Sequence, residues 1–190
     1  MKDFTITLTG TAGLIMHNSR LSNPLDPATK ALKSATSKRT KTDEDHENVA
    51  RLEHAGGLYL DPDIGPYIPG ENIARCLVDG GRITKQGVKI TRGVFISSDV
   101  NPLAYAGPRD VQGLWEDKRF VHMASVKVGT SRVMRCRPVF YEWRVQAQGT
   151  LDESVLDLSN LTSIAEMAGH MCGLGDWRPR FGRFVAEVTA

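Results

Sequence analysis

The chain has 190 residues, 41% of them hydrophobic and 24% charged, with a formal net charge of +2. That length supports one substantial core, and the composition places the chain among ordinary globular proteins. No apolar run reaches the ~18–20 residues needed to span a bilayer, and the start Met1-Lys2-Asp3-Phe4 lacks the pattern of a secretion signal, so a soluble, cytoplasmic protein with no membrane partner is expected.

The first predicted element is a half-buried strand over residues 3–11, where Phe4, Ile6 and Leu8 alternate with Thr5, Thr7 and Thr9. Residues 17–66 read as a long insertion with short helices at about 27–36 and 43–55, the second ending at Gly56-Gly57. The stretch Ala35–Thr42 between them reads as disordered, which makes the 20–55 region a flexible arm. Pro69-Gly70-Glu71-Asn72 opens a helix carrying Ile73, Cys76 and Leu77, and Gly80-Gly81 stops it. A strand is expected over 88–97, from Val88, Ile90, Val94, Phe95 and Ile96.

Residues 98–137 read as a second, loop-rich insertion with a short hairpin about Gly129-Thr130. A long strand is expected over 138–149, an amphipathic helix over 158–172 and a last strand from Phe181 to Val188. Without the two insertions, about 17–66 and 98–137, the order is βαββαβ. That is an α+β chain with a ferredoxin-like, RRM-like core, whose open sheet face is a common platform for single-stranded nucleic acid.

Cys76, Cys136 and Cys172 are odd in number and form no C-x-x-C pair, so they read as reduced, small apolar residues. Basic residues cluster. Five lie without an acid between Lys30 and Lys41 and four between Arg82 and Arg92, and six stand against Asp117 alone between Asp117 and Arg137. Such runs attract polyanions or form solvated faces.

The sharpest local feature is Gly173-Leu-Gly-Asp-Trp177-Arg178-Pro-Arg180-Phe-Gly-Arg183-Phe184. Its glycines allow close backbone approach, Arg178, Arg180 and Arg183 offer bidentate donors to phosphate, and Trp177 offers a surface on which a base can stack. The bland alternative is a helix–strand connection in which arginines cover Trp and Phe. Around Gly129, Lys127, Arg132, Arg135 and Arg137 alternate with apolar residues. Extended, Lys127, Arg135 and Arg137 are expected on one face, with Met123 and Met134 as wedges near the base. The alternative is an edge strand protected by charge.

The Gly-rich turn before G-R-F and the last strand resembles the signature loop of the repeat-associated mysterious proteins (RAMPs), which include backbone subunits and processing nucleases of CRISPR complexes. The segment Tyr67-Ile-Pro-Gly-Glu71-Asn72-Ile-Ala-Arg75 is similar to the helix start of the same family, with Glu71-Asn72 where the family has Ser-Ser. A phage-encoded relative fits the same pattern. The resemblance implies a subunit that multimerises with copies of itself or related subunits along single-stranded RNA; single-stranded DNA is equally compatible with the residues, and no cofactor is expected. The subunit's contact residues would be Arg20, Lys38, Arg39, Lys127, Arg132, Arg135, Arg137, Trp177, Arg178, Arg180 and Arg183.

Two rivals stand beside it. One is an RNA-processing nuclease with His17 or His122 as general acid or base; His170 reads as partly buried structure. The other is an assembly or counter-defence protein that binds no nucleic acid. A metal site is not expected, because His46 and His54 are about 12 Å apart along a helix and Asp61 and Asp63 lack a third ligand.

Overall fold

The computed structural model describes residues 1–190 and is α+β, with antiparallel sheets. Strand β1 (Lys2–Gly10) is second from one edge of the larger sheet: the edge strand β10 (Phe184–Thr189) lies on one side of it and β9 (Arg144–Leu151) on the other. The far edge of β9 takes two short partners, β5 (Val94–Ile96) at one end and β6 (Val100–Ala104) at the other. Through β6 the sheet continues to β4 (Gly65–Pro69) and β3 (Leu60–Asp61). No helix is long and apolar enough to cross a membrane.

The period-two pattern of β1 decides the layers. Phe4, Ile6 and Leu8 pack in one core with Val145, Ala147 and Leu151 of β9 and Phe184 of β10. Helix α3 (Gly70–Ile83) adds Ile73 and Leu77, and α6 (Leu158–Met167) adds Leu161 and Ile164. The two helices meet where Gly80 abuts Ile164 O of α6 and Ala168 at its C-cap, and a Cβ at Gly80 would lie 2.7 Å from the Ala168 methyl. The opposite sheet face is polar: Thr5, Thr7, Gln146, Gln148 and Glu187 lie on it in register. Exposed Phe95 and Val185 share this face, and its cation Arg144 is offset by Asp3 and Glu187, so it lacks the basic surround that a platform for nucleic acid needs.

The first insertion forms both expected helices, α1 (Pro27–Thr36) and α2 (Asp43–Gly57). Their starts follow from local chemistry. Asp26 caps Pro27 at the first position, and Thr42 and Asp45 form a reciprocal capping box. The expectation of a flexible arm is corrected for α2, which buries Ala50, Glu53 and His54 and packs along β8 (Ser131–Phe140), while α1 rests on α2 without burying a residue of its own. The Ala35–Thr42 stretch ends α1 and turns into α2, where Lys38 reaches Asp45 at 2.6 Å.

Residues 88–97 are also corrected. Gly87–Gly93 form helix α4, and only Val94–Ile96 are strand. Gly81 and Gly87 lie in contact, which lets α4 lie against α3 and bury Ile90, so tertiary packing overrides the β-branched pattern. The second insertion is not loop-rich. It holds β6, α5 (Val111–Glu116), β7 (Val121–Val128) and most of β8. The expected long strand over 138–149 breaks at Tyr141-Glu142, because β8 belongs to a second sheet, β7-β8-β2, with β2 at Leu14–Ile15. Trp143 pins the crossing by donating Nε1–H to Ala12 O at 2.8 Å.

Candidate nucleic-acid interface

The chain from Gly173 to Arg183 is a tight turn held by its backbone. Helix α6 runs into a wider π-type turn over Ala168–Cys172, and Gly173 ends it with a positive φ of 77°. The buried Cys76 thiol donates to Gly173 O at 3.2 Å, and burial pushes its pKa up to about 12, so it stays protonated as the donor. Leu174 N–H donates to Gly182 O, Asp176 N–H to Ile15 O and Gly182 N–H to Gly13 O, each within 2.8 Å. The turn is therefore stitched to the loop between β1 and β2. Gly175 and Gly182 have φ of 82° and 73°, and a Cβ at either would run into a backbone carbonyl.

This rigid turn presents Trp177, itself at φ 54°. Its ring is half-buried, edge-on to His122 at 5.3 Å and 6.1 Å from Phe181. Arg180 is exposed beside this cluster and pairs with no acid; after burial, its charge is what lowers the pKa of His122. Arg178 reaches Asp79 Oδ2 on α3 and Gly173 O, both at 3.4 Å. Arg183 turns back to Pro179 O at 2.8 Å.

Behind the turn runs a chain of ion pairs that ends on a neutral histidine. Glu53 of α2 accepts the backbone N–H of Cys136 at 2.9 Å and Arg135 Nη1 at 2.6 Å, satisfying an N–H on the edge of β8 that β7 does not pair. Arg137 lies between Glu53 at 3.9 Å and Asp176 at 3.5 Å, and Asp176 lies 3.6 Å from His17 Nδ1. His17 opens onto a cavity of about 170 Å³ lined also by Tyr59, Asn72, Arg75, Asp176 and Arg178. Burial and then Arg137 lower the His17 pKa, against Asp176, so its imidazole is neutral at pH 7.

The structure gathers Trp177, Arg178, Arg180, Arg183, His17 and His122 around one turn and distributes the rest elsewhere. Arg20 pairs with Asp26 and Lys38 with Asp45, both in the helical insertion, and Arg39 is exposed between α1 and α2. Arg135 and Arg137 are held by Glu53, and Arg137 is buried. Lys127 and Arg132 stand opposite each other near the hairpin tip.

The expected shared face of Lys127, Arg135 and Arg137 is corrected by register. Residues 129–130 form the turn, so Lys127 faces Arg132, while Arg135 and Arg137 face Ala124 and His122 on the other side of the ribbon. Met123 and Met134 are exposed on the ribbon face that carries Lys127 and Arg132. His170 is exposed on the π-type turn, not partly buried. Asp61 accepts the N–H groups of Asp63 and Ile64 in a local turn.

Sequence reading missed Glu53, Tyr59, Asp79 and Asp176, and saw Arg82 as a member of a basic run. Arg75, Asp79 and Arg82 are spaced i, i+4, i+7 on a helix, which is a readable signal for one shared face. Glu53 and Tyr59 carry no such local signal. Comparison of the chain with models of known protein families and with curated protein sequences finds no match.

Proposed function

We propose that the chain is a RAMP-like nucleic-acid-binding subunit with a ferredoxin-like core, which holds single-stranded RNA or DNA at the turn after α6 and multimerises along the strand. The core reading is supported by the antiparallel order β10-β1-β9-β5, with α3 and α6 packed on one face and β6, β4 and β3 added beside β5. The observation that carries the function is Trp177, half-exposed on a backbone-stitched turn and flanked by Arg178 and the acid-free Arg180. A base stacks on the indole while the guanidinium groups take adjacent phosphates. Because the turn is ordered before binding, little conformational entropy is lost in the complex.

The test is anisotropy of a labelled 20-nucleotide strand at low salt. Stacking on one aromatic is worth about 1–3 kcal/mol, so Trp177→Ala should weaken binding by roughly 5- to 150-fold, and Arg180→Ala should weaken it less. No binding by the native protein, or binding indifferent to both changes, sinks the reading.

A second reading rests on the neutral His17 held by Asp176 beside Tyr59, Arg75 and Arg178. That set offers a base for a ribose hydroxyl and cations for a phosphate, as in a metal-independent ribonuclease. RNA cleavage that persists with chelator and is abolished by His17→Ala would replace binding alone with catalysis.

A further inference from the structure

Asp79, on the outer face of α3, collects three guanidinium groups. Its Oδ1 accepts Arg75 Nε at 3.2 Å and Arg82 Nη1 at 2.8 Å, and its Oδ2 lies 3.4 Å from Arg178 Nη1. The carboxylate is 19% exposed, whereas the three arginine side chains are 61%, 58% and 36% exposed. Three cations on one anion leave a local excess of +2. The other carboxylate of the turn, Asp176, is already engaged by Arg137 and His17 and does not reduce it. Each guanidinium carries five N–H donors, and Asp79 uses one nitrogen of each, so most donors remain for another anion.

We infer that Arg75, Arg82 and Arg178 form a phosphate-binding site in which Asp79 is the resident competitor: it holds the three side chains in place and weakens the site for incoming phosphate. The inference rests on the nucleic-acid reading, to which it adds a second contact on α3 and a residue that limits affinity. Phosphate is the ligand class because the two non-bridging oxygens of a backbone phosphodiester match the forked guanidinium donors that Asp79 leaves unfilled. Exposed ion pairs of this kind are weak, so an arginine exchanges Asp79 for phosphate readily. The site stays charged without a ligand, and Asp79 keeps it from binding every polyanion tightly.

Asp79→Asn is the direct test, because it keeps the size of the side chain and removes one negative charge. Anisotropy with the labelled 20-nucleotide strand is measured at about 100 mM salt for the native chain, Asp79→Asn and Arg82→Ala, with melting curves to confirm folding. The expected result is about three- to tenfold tighter binding for Asp79→Asn and weaker binding for Arg82→Ala. Equal or weaker binding by folded Asp79→Asn overturns the inference, while native binding that depends on Trp177 leaves the nucleic-acid reading standing. If no strand binds, that reading fails by itself, and tripolyphosphate becomes the probe. A larger melting shift for Asp79→Asn than for the native chain then supports a free-phosphate site, and equal shifts overturn it. A glutamate-rich peptide that binds as tightly as the strand also overturns it.

Discussion

Glu53 carries much of the local design. It is 3% exposed, yet it receives Arg135, the Cys136 backbone and the edge of the 8%-exposed Arg137. Removing it leaves a buried guanidinium with Asp176 as its remaining partner and orphans a β8 N–H. Breaking a buried pair from one side costs about 3–5 kcal/mol. Glu53→Ala should therefore lower unfolding stability by about that much in urea melts, with Glu53→Gln losing less because its amide oxygen still accepts the Cys136 N–H. The sequence shows Arg135 and Arg137 as two more members of a basic run. It does not show that a carboxylate more than eighty residues upstream neutralises them, since their separation along the chain is 83 residues for the Cys136 bond. Free cations and occupied cations look alike until the fold brings the acids in.

At the scale of elements, legibility follows the range of the interactions. Helices α1, α2 and α6 start where Asp26, Thr42 and Asp157 cap them, and those caps are local chemistry that a sequence displays. Helix α4 looks like a strand because what decides it is contact with α3 through Gly81 and Gly87. The docking of α2 has a comparable long-range component. The fully buried His54 donates Nε2–H to Phe120 O at 3.1 Å, just before β7, and packs edge-on to Trp115. Burial lowers its pKa, as it lowers those of His17 and His122. The unfolded chain therefore binds protons more readily than the folded one, and the histidines' contribution to stability is present above about pH 6.5 and lost as pH falls through their lowered folded values. The melting temperature should drop between pH 7 and pH 5, and by less in a folded His54→Gln variant. A melting temperature unchanged over that range contradicts the buried neutral His54.

For the whole molecule, a net charge of +2 supplies little long-range attraction, so affinity for a polyanion has to come from local groupings. The basic runs in the sequence point to such groupings but misplace several. In the run around Lys30–Lys41, Lys38 is held by Asp45 of α2, and the buried end of the hairpin run is offset by Glu53 and Asp176. Cations without an acidic partner also stand at Lys127 and Arg132 near the hairpin tip and along Lys85–Arg92, but the turn after α6 is the grouping that sets arginines, Arg178 and Arg180, about an aromatic, Trp177, and it is continued onto α3 by Arg75 and Arg82. The turn was legible because its glycines, Trp and arginines are contiguous, whereas its continuation onto α3 depends on Arg178 reaching across to Asp79. The salt dependence of binding to a labelled single strand tests this account most directly. Each neutralised phosphate contributes about −0.7 to the slope of log affinity against log salt, so contacts to roughly three to five phosphates predict a slope of about −2 to −3.5. Trp177→Ala should lower affinity without changing that slope. A slope near zero, or no binding at low salt, would contradict the claim that this turn captures a nucleic-acid backbone.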